Sequence, residues 1–129
     1  MGLATIKRYG QSIMTGFEWN GRILKPIGKS KELGWEFDGK FVRPCDGSIT
    51  RGYQWDGNVL KPYGKTMFAG FKVEGNIIKP FGKSLDEAWV VSSNGCSPHG
   101  KSHSSGWEFH GDIPLPLIAL VVMGLAVRG

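Results

Sequence analysis

An 18-residue period constrains this chain more than any other feature. GFEWNGRILKPIGKSKEL from Gly16 recurs as GWEFDGKFVRPCDGSITR from Gly34 and GYQWDGNVLKPYGKTMFA from Gly52. It continues as GFKVEGNIIKPFGKSLDE from Gly70, wears thin in AWVVSSNGCSPHGKSHSS from Ala88, and restarts as GWEFHGDI at Gly106. Leu3 to Thr15, with KRYGQS in place of KPIGKS, is the second half of an earlier unit. Units of this kind are single supersecondary elements that bury an apolar face only by stacking on their neighbours. Fifteen of the 20 glycines fall at unit positions one, six and thirteen, and ten of the fifteen aromatic residues at positions two and four, so turns and core are placed by the same period.

Each unit reads as a hairpin followed by a connector. Phe17, Glu18 and Trp19 alternate as a strand does, and Asn20-Gly21, like Asp38-Gly39 and Asp56-Gly57, supplies a turn that tolerates positive φ. Glu74-Gly75 is a weaker turn and Ser92-Ser93 replaces it in the worn unit, whose hairpin is expected to be the least well formed. The second strand, Arg22 to Lys25, runs into Pro26, and Pro44, Pro62, Pro80 and Pro98 repeat that stop. A two-residue loop sets Leu24 beside the aromatics, whereas a three-residue loop with a bulge sets Ile23 there. Both are apolar, which implies cover on both faces of the second strand. One slip is visible: Asp46 takes position thirteen of the second unit, and Gly47 follows one residue late.

The pattern breaks after Ile113, where IPLPLIALVVMGLAV runs to Val127 without a charge. Pro116 suits a first helical turn, and the residues after it are apolar on every face, so a helix here is buried or in lipid. Fifteen residues at ~1.5 Å each reach about 22 Å, short of the roughly 30 Å of a bilayer core. A plug for the centre of a hairpin ring is favoured over a membrane anchor. With 129 residues, abundant Gly and aromatics and no second compositional region, residues 1–129 read as one domain with units starting near 16, 34, 52, 70, 88 and 106 and an apolar segment over 113–127. The fold class is mainly β: a ring or barrel of 18-residue β-hairpin repeats around a short C-terminal apolar helix.

Repeated W-D-G-x-x-L-K-P-Y-G units followed by I-P-L-P-L-I-A-L resemble the 4-fold beta flower family over nearly the whole chain. The resemblance implies hairpin petals around a hydrophobic centre, in a plan similar to the tubby C-terminal domain. It implies no activity. Tubby-like domains bind phosphoinositide headgroups, but no tubby motif is present here to carry that over, so the link to lipid is one of architecture alone.

No motif points to catalysis. There is no C-x2-C pair, no H-E-x-x-H and no G-x-S-x-G. Cys96, His99 and His103, with His110 beyond, resemble part of a zinc site, yet His99 stands where Tyr9, Ile27, Tyr63 and Phe81 stand in other units and His110 replaces a turn Asn or Asp. Loop histidines account for them, and no metal or cofactor is expected. The two cysteines, Cys45 and Cys96, occupy different unit positions and make no disulfide framework. Glu18, Glu36, Gln54 and Glu108 repeat at position three, the habit of cross-strand pairing with a neighbouring Lys or Arg.

The basic repeat K-P-x-G-K is the candidate site. A net charge of +5 favours anionic partners, and nine of the sixteen Lys and Arg residues fall at positions ten and fourteen. Lys25, Lys29, Arg43, Lys61, Lys65, Lys79 and Lys83 are the expected anion-binding set, with Lys7 and Lys101 at equivalent positions. In a ring, equal positions share one height, so these cations form one or two basic rings; the plain alternative is a solvated rim balanced by the position-three glutamates. The expected function is a non-catalytic binding module for an anionic lipid or other polyanion. Nucleic acid ranks lower, because the interleaved aromatics have a sufficient use as core. The competing reading is a structural or membrane-anchored protein using the apolar end. Met1 to Lys7 does not read as a secretory signal, so the expected compartment is the cytoplasm, with membrane association as the alternative.

Overall fold

The computed structural model describes residues 4–126. The strands run β1 Ala4–Arg8, β2 Phe17–Trp19, β3 Ile23–Pro26, β4 Trp35–Phe37, β5 Phe41–Pro44, β6 Tyr53–Trp55, β7 Val59–Pro62, β8 Phe71–Glu74, β9 Ile77–Pro80, β10 Trp89–Val91, β11 Gly95–Pro98 and β12 Trp107–His110. Each pairs antiparallel with its chain neighbours, and β12 returns to β1, so the sheet closes as a twelve-stranded barrel. The closing ladder sets Thr5 opposite His110, Ile6 opposite Phe109, Lys7 opposite Glu108 and Arg8 opposite Trp107. The half unit at the start of the chain thereby supplies the strand that the half unit at the end lacks, making a sixth strand pair in the register of the hairpins. Closure leaves no free sheet edge among the described strands. His110 consequently ends a strand opposite Thr5, where its counterparts Asn20 and Asp38 open a tight turn.

Hairpin register selects the two-residue loop. Trp19 lies opposite Leu24, Phe37 opposite Val42 and Trp55 opposite Leu60. Because side chains alternate along a strand, positions two, four and nine face the interior and positions three and ten face out. The interior level at position nine holds Ile6, Leu24, Val42, Leu60, Ile78 and Cys96, all fully enclosed. The outward position-eight residues are covered unevenly: Val59 is buried while Ile23, Phe41 and Ile77 are half-buried. The expected two-sided cover of the second strand is therefore partial.

The turns differ in detail from the reading of Asn-Gly as the loop pair. The Asn20 amide donates to the Ile23 carbonyl, so Gly21 and Arg22 are the two central residues, and Gly21 takes φ of 99° while no non-glycine among the described residues has a positive φ. Glycine first with a negative φ after it is the II′ pattern. Asn20 serves instead as a cap, its Oδ1 accepting from the amides of Arg22 and Ile23 at 2.9 and 2.8 Å. Asp38 and Asp56 cap the next two turns in the same way. The worn hairpin is not looser: Trp89, Val90 and Val91 pair with Pro98, Ser97 and Cys96 in the register of the others. There Ser92 replaces the Asx cap by donating both its amide and its hydroxyl to the Gly95 carbonyl.

Glycine at position one has another cause. A Cβ on Gly52 would lie 1.9 Å from the Val42 carbonyl oxygen, and one on Gly106 2.0 Å from that of Cys96. The neighbouring strand passes too close for any side chain. Ala88 fills this position in the worn unit with ψ of 165°, where Gly34 has −170° and Gly52 −149°.

The apolar end enters the barrel. Helix α1 spans Leu115–Val122, and Pro116 through Val122 are buried. At eight residues and ~1.5 Å each, it is about 12 Å long, shorter than the full apolar run. Gly124 at φ of 79° ends it: the Gly124 amide bonds the Val121 carbonyl and the Leu125 amide bonds the Leu120 carbonyl, a Schellman cap. Leu117 and Leu120 are wholly enclosed and join one core with the position-nine side chains, Phe17, Trp19 and Trp35. Val127 lies outside the described residues. Among those described, no helix is long and apolar enough to cross a membrane.

Candidate anion-binding rim

Hairpin turns occupy one end of the barrel and the connectors the other. Each connector is a tight turn after the strand's last residue, a proline in five cases and Arg8 in the first, followed by one turn of 3-10 helix: Ile13–Thr15, Lys31–Leu33, Ile49–Arg51, Met67–Ala69, Leu85–Glu87 and His103–Ser105. An amide-to-carbonyl bond closes each tight turn, from Lys29 to Pro26, Lys65 to Pro62 and Lys83 to Pro80, with Gly28, Gly64 and Gly82 between them at φ near 80°. The slip at Asp46 leaves this closure intact, since the Gly47 amide bonds the Pro44 carbonyl.

This geometry divides the expected cations into two groups. The position-ten side chains lie on the outer wall and are engaged. Lys25 Nζ donates to the Lys29 carbonyl at 2.8 Å and pairs with Glu18 at 3.4 Å, and Lys61 Nζ donates to the Lys65 carbonyl at 2.6 Å and to Gln54 at 2.8 Å. Lys79 reaches the Lys83 carbonyl at 3.0 Å, Arg43 reaches that of Gly47 at 3.4 Å and pairs with Glu36, and Lys7 pairs with Glu108 at 2.6 Å. Lys25, Arg43, Lys61 and Lys79 thus pin their connector turns to the strands. The position-fourteen side chains of Lys29, Lys65, Lys83 and Lys101 are exposed on the connector rim.

Charge balance is uneven around the wall. Glu18, Glu36 and Glu108 neutralise their hairpins, and Glu36 also pairs with Arg22, whose hydrogen bond holds its carboxyl below the usual range. In the fourth hairpin Lys72 stands opposite Lys79, with Glu74 3.7 Å from Lys72. Gln54 faces Lys61 in the third. Positive charge is least compensated along β6 to β9, beneath the Met67–Ala69 connector.

Sequence reasoning missed the apolar tips of the rim. Phe68 is 73% exposed, Met14 61%, and Met67 and Leu85 nearly half exposed, in a molecule whose core side chains fall to 0%. Phe68 meets Phe81 edge-on at 5.1 Å between ring centroids, which holds the tip in a defined posture. These residues sit at the least regular positions of the repeat, sixteen and seventeen, where the period carries no signal. The connectors also carry Arg8, Lys31 and Arg51, and against them Glu32, Asp46, Asp86 and Glu87.

The structure does not bring the candidate metal ligands together. Cys96 is buried at the position-nine level, where burial pushes its thiol up to about 12, whereas His99 is exposed on a connector and His110 at the turn end. The His103 side chain lies outside the described set. Among the described residues no three His, Cys, Asp or Glu side chains are grouped for a metal.

Compared with known proteins, the chain matches no family model, no curated protein and no solved structure.

Proposed function

We propose that the chain is a non-catalytic module that docks on anionic membrane surfaces through its connector rim, each 18-residue unit contributing one petal. The observation that carries this reading is the meeting, at one end of the barrel, of exposed Lys29, Lys65 and Lys83 with exposed Met14, Met67 and Phe68. Large apolar side chains cost solubility when left in water, and in a ring of hairpins they have no internal task at the connector tips. Beside lysines they suit the lipid interface, where rings and thioethers enter the headgroup layer and ammonium groups meet phosphates. Each such lysine near an anionic bilayer contributes on the order of 1 kcal/mol, so a rim binds where a single residue does not. The kinship with the 4-fold beta flower family belongs to this proposal, supported by a closed hairpin ring with an apolar helix at its centre.

Co-sedimentation with vesicles tests it. Anionic vesicles should pull down the protein, neutral ones should not, and binding should weaken as salt shortens the Debye length from about 8 Å at physiological strength to roughly 3 Å at 1 M. Equal binding to both vesicles, or none to either at low salt, contradicts the proposal. A single-stranded oligonucleotide run alongside separates lipid from a general polyanion.

A further inference from the structure

We propose that the cleft at the connector end of the barrel, between the segments 11–17 and 26–29 and beside the seam where β1 meets β12, binds a small anionic amphiphile, its anion between Arg8 and Lys29 and its apolar part against Met14, Phe17 and Ile27. The cleft measures about 460 Å³, within the range of small-molecule sites, and its walls combine those residues with Pro26 and Trp107. Among the described residues no carboxylate lines it, and the polar groups besides the two cations are Gln11, Thr15 and the Trp107 indole, whose Nε1 is buried without a hydrogen-bond partner. Among the described residues neither Arg8 nor Lys29 is paired with an acid.

Arg8 is the departure that makes this petal different. Position eleven is Pro26, Pro44, Pro62, Pro80 and Pro98 in the other five, and only here does a cation replace the proline. Its guanidinium lies over the Trp107 ring, 5.1 Å from the centroid, which fixes the head at the cleft wall without neutralising it. Met14 closes one side of the cleft by reaching Gly28, where a Cβ would stand 3.1 Å from the methionine methyl. Two unneutralised cations at the mouth of an apolar cleft match a phosphate or carboxylate carried on a short hydrocarbon chain, taken from solution or from a bilayer. The inference rests on the cleft and does not require the rim to bind vesicles.

The test is calorimetric titration of the full chain with octyl phosphate below its micelle concentration, with inorganic phosphate and octanol as the separated halves. One-to-one binding of octyl phosphate, much weaker binding of either half, and roughly tenfold or greater weakening in both Arg8→Pro and Lys29→Gln are expected, the scale of one charge-assisted hydrogen bond. Arg8→Pro installs the residue that fits the same ladder in five petals; should it nonetheless fail to fold, Lys29→Gln decides alone. Lys40→Gln, at the hairpin-turn end of the barrel, should bind octyl phosphate as the native chain does. No binding of octyl phosphate, or binding that Lys29→Gln leaves unchanged, overturns the inference even if vesicles bind. Binding of octyl phosphate without vesicle binding supports the cleft with a solution ligand and counts against the rim proposal.

Discussion

The indole Nε1 of Trp35 donates a buried hydrogen bond of 3.0 Å to the carbonyl oxygen of Ala126, 91 positions further along the chain. Trp35 opens β4 at the connector end, and Ala126 follows the capped end of α1, so this bond fastens the central helix to the wall at the level where the helix emerges. Its partner level is dry: Trp35 is 4% and Ala126 1% exposed. Trp35→Phe keeps most of the packing and strands the carbonyl, which should cost about 1–3 kcal/mol in denaturant unfolding.

The helix should matter more than its length suggests. Leu120→Ala removes a wholly enclosed side chain and is expected to cost roughly 2–5 kcal/mol. Truncation after Ile113 should abolish the cooperative melt, because the position-nine side chains then line an empty centre. A truncated chain that melts near the native temperature would show that the ring does not need its plug.

Acid should lower the stability of the protein through its capped turns and the Glu36 ion pair. Hydrogen bonds from the amides of Lys40 and Phe41 lower the pKa of Asp38, and those of Asn58 and Val59 lower that of Asp56, while Arg22 does the same for Glu36. A carboxyl with a folded pKa below its unfolded value lends stability that is complete above the unfolded value and disappears as pH falls through the folded one. The melting temperature should therefore hold level above about pH 5 and fall below about pH 4. Asn20 already caps a turn as an amide, so Asp38→Asn with Asp56→Asn should keep the fold and flatten the acid limb; an unchanged limb assigns the loss elsewhere.

Most of the architecture was legible because the repeat states it many times over. Aromatic, polar, aromatic alternation at Phe17 to Trp19 and the proline stops placed the strands, and Leu24 in the interior followed once a two-residue loop was granted. The length of α1 was not legible, since an all-apolar run hides where Gly124 will cap it. The lysines look alike in sequence: Lys61 and Lys65 belong to one motif, but the strand faces Lys61 back onto the Lys65 carbonyl and leaves the Lys65 side chain outside. The exposed Phe68 could not be told from core by composition, because only the connector's path decides which aromatics the barrel encloses.

That division of the lysines is testable by itself. Lys61→Met should lower stability by about 0.5–1.5 kcal/mol through its lost bonds to Gln54 and the Lys65 carbonyl, with little change in vesicle binding. Lys65→Glu should do the reverse. Equal effects of both on vesicle binding would mean that the wall cations take part.

The seam offers a further check on closure. Removing residues 1–9 takes away β1 and leaves β2 and β12 with unpaired edges, the arrangement that recruits other chains. Light scattering should then report oligomers or aggregates where the full chain does not form them. A shortened chain that stays monomeric and cooperative would mean that five hairpins suffice.

The rim proposal stands or falls on whether its apolar tip and its lysines act together. The decisive measurement is co-sedimentation with anionic vesicles for the native chain, Phe68→Ser, and Lys65→Glu with Lys83→Glu, each first shown by its melt to be folded. The charge reversal should remove most binding at low salt. Phe68→Ser should weaken binding roughly tenfold and leave a remainder that salt removes fully, since burial of one aromatic side chain is worth about 1.5–3 kcal/mol. Native-level binding in both variants would contradict the account and return the rim to solvent.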